Sequence, residues 1–382
     1  MNEAFIIDAV RTPRAKRNGS FSLMHAIDLA GIPLKALVSR NKFDPAHIDD
    51  VIFGCVSQRG EQDNDIARGA VLGAGLPESI PGVTLNRFCP SGLTACNLAA
   101  QTIMAGQQDL MIGGGVEHMS RVPMDIDFYH GESGLYQRYP DLVNQGISAE
   151  MISEKFGYTR HQLDEFASRS QALAAIALEE KRFQKSMITV QVKTPDGKSV
   201  SIEKDEHPRP GTTPEGLAKL KPPFKENGVI HAGNSSGIVD GSAAVLFASK
   251  QKCKELDLKP RAKLIAIGLS GAEPKIMLLG PIPSTQKALK RAGLSLKDID
   301  LFEINEAFAP VILVMHDEMK IPLDKINVNG GAIALGHPLG ATGAMLLGTV
   351  LDELERRDLR YGLVTLCAGL GMGVTTIIDR KV

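Results

Sequence analysis

The chain carries one pattern twice. Ile48-Asp49-Asp50-Val51-Ile52-Phe53 has a counterpart in Ile299-Asp300-Leu301-Phe302-Glu303-Ile304, an offset of 251 residues. Val83-Thr84-Leu85-Asn86, followed by a glycine-bearing turn and the small-residue run 91–105, is matched by Ile326-Asn327-Val328-Asn329, then Gly340 and the run 341–350. Residues 110–115 and 363–369 complete the two copies. Each copy reads strand, turn, helix, strand, so two α/β halves of related design are the simplest account. A chain of 382 residues has room for two or three domains, at roughly 100–200 residues each.

Composition narrows the function classes. With 43% hydrophobic and 23% charged residues, disorder and fibrous repeats are excluded. Lys+Arg 43 against Asp+Glu 44 leaves no basic excess for phosphate-held nucleic acid. No apolar run approaches the ~20 residues needed to span a bilayer, and the first residues lack the basic and apolar regions of a signal peptide. Five cysteines without C-x-x-C or zinc spacing fit a reducing cytoplasm and no metal. They are core filler or reactive groups.

Between the copies, Thr159-Arg160-His161-Gln162 is a candidate capping box, and Leu163, Phe166, Ala167, Ser170, Leu173, Ala174 and Ala177 keep helical spacing after it. A loop from 207 to 224 follows, punctuated by five prolines and carrying Arg209, Lys219 and Lys221. Residues 243–249 read as a strand returning to the first half.

Four positions are candidates for chemistry. Cys89, in Asn86-Arg87-Phe88-Cys89-Pro90-Ser91-Gly92, lies between a strand and an Ala-rich helix. With Pro90 in the first turn, the helix N-terminus would lower the thiol pKa; a small buried thiol is the plainer alternative. Cys96, seven residues on, keeps that core reading. His337 lies in a glycine-rich segment from Gly330 to Gly343, in the second copy. It reads as base, hydrogen-bond donor or structural group. Cys367 precedes Gly369, Gly371 and Gly373. That run suggests a dinucleotide loop only until the strand-like 374–378 is seen where a helix should follow. Asn305 ends a strand, as site residue or helix cap. Gly233-Asn234-Ser235-Ser236-Gly237 matches a serine-hydrolase elbow, but turn and strand follow it instead of the required helix.

Together these segments resemble the thiolase family over essentially the whole chain. N-x-x-C-x-S-G, N-E-A-F, G-G-A-I-A-L-G-H-P-x-G and C-x-G-x-G occur in the family's order. The resemblance implies a five-layer α/β/α/β/α fold: residues 1–118 with 239–260 as one half, 261–382 as the other, and an inserted loop domain, 119–238, for coenzyme A. It implies no permanent cofactor, coenzyme A as co-substrate, acyl-CoA substrates, a homodimer or homotetramer, and a possible β-oxidation dehydrogenase or hydratase partner. Residue by residue, Cys89 corresponds to the nucleophile, and its N–H with that of Gly369 to one oxyanion hole. His337 with a water held by Asn305 corresponds to the other, and Cys367 to the second thiol acid/base. Arg209 corresponds to the arginine packing on adenine. Ser236, within Ala232-Gly233-Asn234-Ser235-Ser236, corresponds to the pantetheine-contacting serine.

The chemistry requires these types. Breaking a C–C bond beside a ketone needs a soft nucleophile that also leaves well, hence a thiolate. The departing acetyl-CoA carbanion needs its charge stabilised as an enolate and a proton delivered to carbon. Decarboxylating condensing enzymes lose CO2 instead and need no such base, so Cys367 separates the two. Pro90 and Leu370 depart from the family pattern without removing a catalytic atom. Asn144-Gln145 stands where biosynthetic acetoacetyl-CoA thiolases carry His-Met, and Met277-Leu278 where they carry Met-Gly. With Phe308, these form the expected substrate pocket. Residues 117–119, 121–124 and 146–150 resemble degradative bacterial enzymes acting on fatty acyl or sterol side-chain substrates. The expected activity is acetyl-CoA C-acyltransferase. A short-chain acetoacetyl-CoA thiolase and a non-catalytic acyl-CoA or lipid-binding relative are the alternatives.

Overall fold

The computed structural model describes residues 2–124 and 133–382. Residues 125–132, inside the expected loop domain, lie outside the described residues, as does Met1. The strands are β1 (Ala4–Arg11), β2 (Ala15–Lys16), β3 (Asp50–Gly54), β4 (Gly82–Leu85), β5 (Leu110–His118), β6 (Val190–Lys193), β7 (Ser199–Ile202), β8 (Val239–Ser249), β9 (Ala262–Gly271), β10 (Leu301–Ile304), β11 (Tyr361–Ala368) and β12 (Met372–Asp379). Among the helices, α1 (Ala26–Asn41), α2 (Ile66–Gly73) and α3 (Ser91–Met104) belong to the first half. Then come α4 (Gly134–Arg138), α5 (Gln145–Phe156), α6 (Arg160–Glu179) and α7 (Pro214–Leu217). α8 (Lys250–Glu255), α9 (Pro281–Ala292), α10 (Ala309–Met319), α11 (Ala332–Leu335) and α12 (Leu339–Arg356) follow β8.

Ten strands form one mixed sheet in the order β10-β11-β12-β9-β1-β8-β5-β3-β4, with β2 on β8. The repeat explains that order. In the first half β4, β3 and β5 run parallel and β8 and β1 add antiparallel. In the second, the Ile326 bridge, β10 and β11 run parallel, and β12 and β9 add antiparallel. The sequence copies fall on β3 with β10, β4 with the Ile326 segment, and β5 with β11. The halves join where β1 meets β9 through Phe5–Lys263 and Ile6–Ala262.

Helices α3 and α12 are buried nearly all round, which their small residues permit and which no amphipathic helix could tolerate. They lie between the halves: their side chains share one core with β1, β5, β8, β9, β11 and β12. A second core covers α1 and α2 on the outer face of the first half, a third α9 and α10 on the second. Helix, half-sheet, helix pair, half-sheet, helix are the five layers. The capping box forms as expected, Thr159 and Gln162 closing the start of α6 on each other. Residues 119–238 enter after β5 and leave into β8, two neighbouring strands of the sheet.

Candidate active site

The two candidate loops are the equivalent turns of the two halves, each just before a central helix. Cys89 follows a tight turn. Phe88 sits at φ +52°, a left-handed conformation costly for a residue with a β-carbon. Asn86 Oδ1 accepts from the Phe88 N–H at 2.7 Å and the Ser91 hydroxyl donates to the Phe88 carbonyl at 2.6 Å, holding it there. Pro90 is the cap of α3, not its first helical residue, so Cys89 stands just outside the helix. The lowered thiol pKa expected from the sequence is absent. Cys89 is buried, and burial pushes its thiol up to about 12. Loss of hydration outweighs what the nearby N–H groups return. Cys96 is core, as read.

His337 is buried, and burial together with the charge of Arg14 brings its imidazole down to about 3, so it is neutral at ordinary pH. Its tautomer follows from its partners. The Thr342 hydroxyl donates to the Pro338 carbonyl at 2.9 Å, so its oxygen accepts the His337 Nδ1–H at 2.6 Å. Nε2 therefore carries the lone pair, and it accepts from Asn305 Nδ2–H at 3.3 Å. Asn305 Oδ1 is buried with no protein partner among the described residues. Cys367 is the last residue but one of β11, where its thiol is pushed up by burial and by the neighbouring Cys89. Gly369 begins the turn from β11 to β12, which Leu370 (φ 59°) and Gly371 (φ 76°) complete. This is a hairpin and not a dinucleotide loop.

Two cavities meet at this centre. One, about 510 Å³, is lined by Cys89, Asn144, Gln145, Met124, Arg59 and Phe224 among others. The second, about 590 Å³, is lined by His337, Arg209, Ala232, Gly233, Ser236, Lys16 and Arg17 among others. Gln145, Phe224, Phe308, Leu339 and Met124 belong to both walls. Glu117 ties the surroundings together. Its carboxylate accepts from the N–H groups of Val56, Ser57 and Gly340 and from Gln62 Nε2, at 2.9–3.0 Å. Val56 and Ser57 line the first cavity, and Gly340 opens α12 just after His337. No helix among the described residues is long and apolar enough to cross a membrane.

Two family models match the chain. The thiolase N-terminal domain matches residues 4–251 and the thiolase C-terminal domain residues 258–380. The chain belongs to the thiolase family. It is similar to a 3-ketoacyl-CoA thiolase of Idiomarina loihiensis, 44% identical over 391 residues and the full length of both chains. It is equally similar, 44% over 404 residues and both full lengths, to a 3-oxoadipyl-CoA/3-oxo-5,6-dehydrosuberyl-CoA thiolase of Escherichia coli. The crystal structure of an acetyl-CoA acetyltransferase of Bacillus anthracis superposes with a TM-score of 0.92 at 38% identity, covering 99% of each chain.

Set in the thiolase fold, most of the sequence-derived candidates converge. Asn144, Gln145 and Phe308 line the first cavity, while Arg209, Ala232, Gly233, Ser236 and again Phe308 line the second. Met277 and Leu278 do not line either. Both are fully buried in the outer core of the second half, against α9 and α10. Their apolar side chains are held there by the same burial that a pocket wall would have left incomplete. The Gly233–Gly237 run is no elbow: the Ser235 hydroxyl donates to the His231 carbonyl at 2.8 Å. Sequence reasoning passes over Thr342, Gln62 and Phe224. For Thr342 the one available signal is a hydroxyl five residues after a candidate histidine, at the start of a helix. Gln62 and Phe224 reach the site from distant segments and leave no local mark.

Proposed function

We propose that this thiolase cleaves 3-ketoacyl-CoA with coenzyme A, through an acyl group on Cys89, to acetyl-CoA and a shortened acyl-CoA. One observation carries the reading. A neutral histidine with its lone pair on Nε2 and a thiol open into two cavities that share a wall, and that thiol is close enough to a second one, Cys367, to raise the cost of charging it. The insertion 119–238 is the coenzyme A-binding element, with Arg209 on the adenine and Ser236 on the pantetheine arm.

Nε2 of His337 takes the Cys89 proton, and the thiolate attacks the C3 ketone of the substrate. The oxyanion that forms faces the N–H groups of Cys89 and Gly369. As the carbonyl re-forms, the C2–C3 bond breaks and its electron pair passes to C2, as the enolate of acetyl-CoA. The His337 imidazolium and a water donating to Asn305 Oδ1 would hydrogen-bond that enolate oxygen. Cys367 delivers its proton to C2. Its thiolate then takes the proton of incoming coenzyme A, whose sulfur attacks the acyl-Cys89 carbonyl and releases the Cys89 thiolate, which recovers its proton from the His337 imidazolium.

Longer acyl chains than acetoacetyl are the favoured substrates, as in β-oxidation. A four-carbon substrate presents little acyl chain to fill a cavity of about 510 Å³. Each buried CH₂ contributes up to ~0.8 kcal/mol, so two raise kcat/KM by roughly tenfold. The test measures kcat/KM at fixed coenzyme A for four-, eight- and sixteen-carbon 3-ketoacyl-CoA, with 3-oxoadipyl-CoA beside them. An eight-carbon substrate is expected to exceed the four-carbon one. A steep fall from four carbons to eight would place the chain with the short-chain enzymes, and no thiolysis of any substrate would make it a binding protein. The working form is a homodimer or homotetramer, checked by light scattering.

A further inference from the structure

The chain reaches His337 through α11, a single helical turn too short to satisfy its own last carbonyls. The insertion supplies partners for three successive ones. The Gly237 N–H donates to the Ala332 carbonyl at 3.2 Å, Gln171 Nε2 to that of Ile333 at 3.4 Å, and His207 Nδ1 to that of Ala334 at 2.9 Å. The His337 N–H then donates back to the Gly237 carbonyl at 2.9 Å. A β-carbon on Gly237 would collide with the His207 ring, so that ring packs directly on the residue that receives the His337 N–H. The direction in which the turn presents the catalytic imidazole is therefore set from outside the turn, by residues 171, 207 and 237.

We propose that His207 is a positioning residue for His337: its Nδ1–H on the Ala334 carbonyl and its ring on Gly237 fix the turn that aims the catalytic imidazole, so the loop that carries Arg209 also sets the base. The inference rests on the thiolase reading, with His337 as the base for Cys89. His207 stands two residues before Arg209. Gln171 ties the same loop to the same turn, since its Oε1 accepts from the Arg209 N–H at 2.8 Å while its Nε2 holds Ile333. His207, Gln171, Arg209, Gly237 and His337 all line the second cavity. A carbonyl only accepts, so His207 Nδ1 carries the hydrogen. Of the two side-chain contacts to α11, the one from His207 is the shorter. It ends on a backbone oxygen three residues before His337, and so acts through the turn.

The experiment follows acylation of Cys89, read by peptide mass, from octanoyl-CoA and from the N-acetylcysteamine thioester of octanoate, in the wild type, His207→Phe and His207→Asn. The second thioester has no adenosine end, so it does not report on coenzyme A binding at Arg209. Phenylalanine keeps a ring on Gly237 but cannot donate, whereas the asparagine carboxamide can donate from the place of Nδ1. His207→Phe is expected to slow acylation roughly tenfold with both thioesters, because small misplacements of a catalytic group are costly. The thioester concentration that gives half the maximal rate should change little, and His207→Asn should recover most of the rate. Slowing confined to octanoyl-CoA would overturn the proposal and leave His207 a part of the coenzyme A site alone. An unchanged rate with both thioesters, or an asparagine variant as slow as the phenylalanine one, would overturn it too. If His207→Phe does not fold, His207→Ala is read in the same way. A wild type whose Cys89 is acylated by neither thioester would overturn the thiolase reading itself, and this proposal with it.

Discussion

Cys89 and Cys367 are both thiols, both buried, and both pushed upward by that burial, yet the chemistry asks opposite things of them. In the proposed mechanism Cys89 holds the acyl group and Cys367 moves a proton on and off carbon. Their separate tasks predict separable defects. Cys367→Ala is expected to accept an acyl group on Cys89 from an activated thioester at near the wild-type rate. It should fail to exchange the α-hydrogens of acetyl-CoA with deuterated water, since loss of a positioned acid/base costs ~10²–10⁴-fold. Exchange at the wild-type rate in that variant would assign the base elsewhere. At this scale the sequence reveals identities better than environments. The motif runs name Cys89, Asn305, His337 and Cys367, and the structure sets Asn305 beside His337 and Cys89 near Cys367. That the Cys89 thiol is raised instead of lowered depends on the whole shell that excludes water from it, which no local run of residues encodes. Met277 and Leu278 fail for the same reason, because an apolar side chain looks alike on a core and on a pocket wall.

The elements bring the two active-site turns together through backbone contact. A β-carbon on Gly92 would meet the Gly340 carbonyl oxygen at 2.5 Å, and one on Gly343 would meet the Leu93 amide nitrogen at 2.2 Å. The starts of α3 and α12 therefore touch main chain to main chain, which places the Cys89 turn beside the His337 turn. The small-residue runs after both turns are legible as sequence. They signal two helices that approach closely, but which helix each meets becomes clear only with the fold. Gly343→Ala is expected to force the helix starts apart, costing ~1–3 kcal/mol as overpacking does. It should also reduce kcat/KM, since His337 stands directly before the Pro338 cap of α12. Gly348→Ala on the same helix is the comparison. Its β-carbon would approach the Ala9 β-carbon at 3.2 Å, a contact that a small shift relieves, and alanine gains helix propensity over glycine. Denaturation midpoints and steady-state rates for the two variants check this. Equal losses at both positions would show that the helix junction is not specially tight.

Across the whole molecule, the insertion is bound to the first half by a buried ionic cluster that reaches toward the catalytic centre. Arg11, at the end of β1, donates from both Nη atoms to Asp205 at 2.8 and 2.9 Å, and the Arg14 N–H donates to the same carboxylate at 2.7 Å. All three residues are buried. Burial works to raise the Asp205 carboxyl, but Arg11 and Arg14 hold it below its ordinary value of 3.8. The Arg14 charge in turn helps keep His337 neutral. Because the folded value is depressed, the stability that Asp205 contributes is present above 3.8 and is lost as pH falls through the folded value. Asp205→Asn leaves two guanidinium groups buried without their carboxylate, a loss of ~3–5 kcal/mol near neutral pH. It also leaves the Arg14 charge less compensated, which favours the neutral imidazole still further. Urea midpoints for the wild type and Asp205→Asn should therefore differ most at pH 7 and converge as the wild type is taken below pH ~4. A gap that stayed constant from pH 7 to pH 3 would mean that Asp205 ties the insertion by shape and hydrogen bonding alone, with its charge contributing nothing.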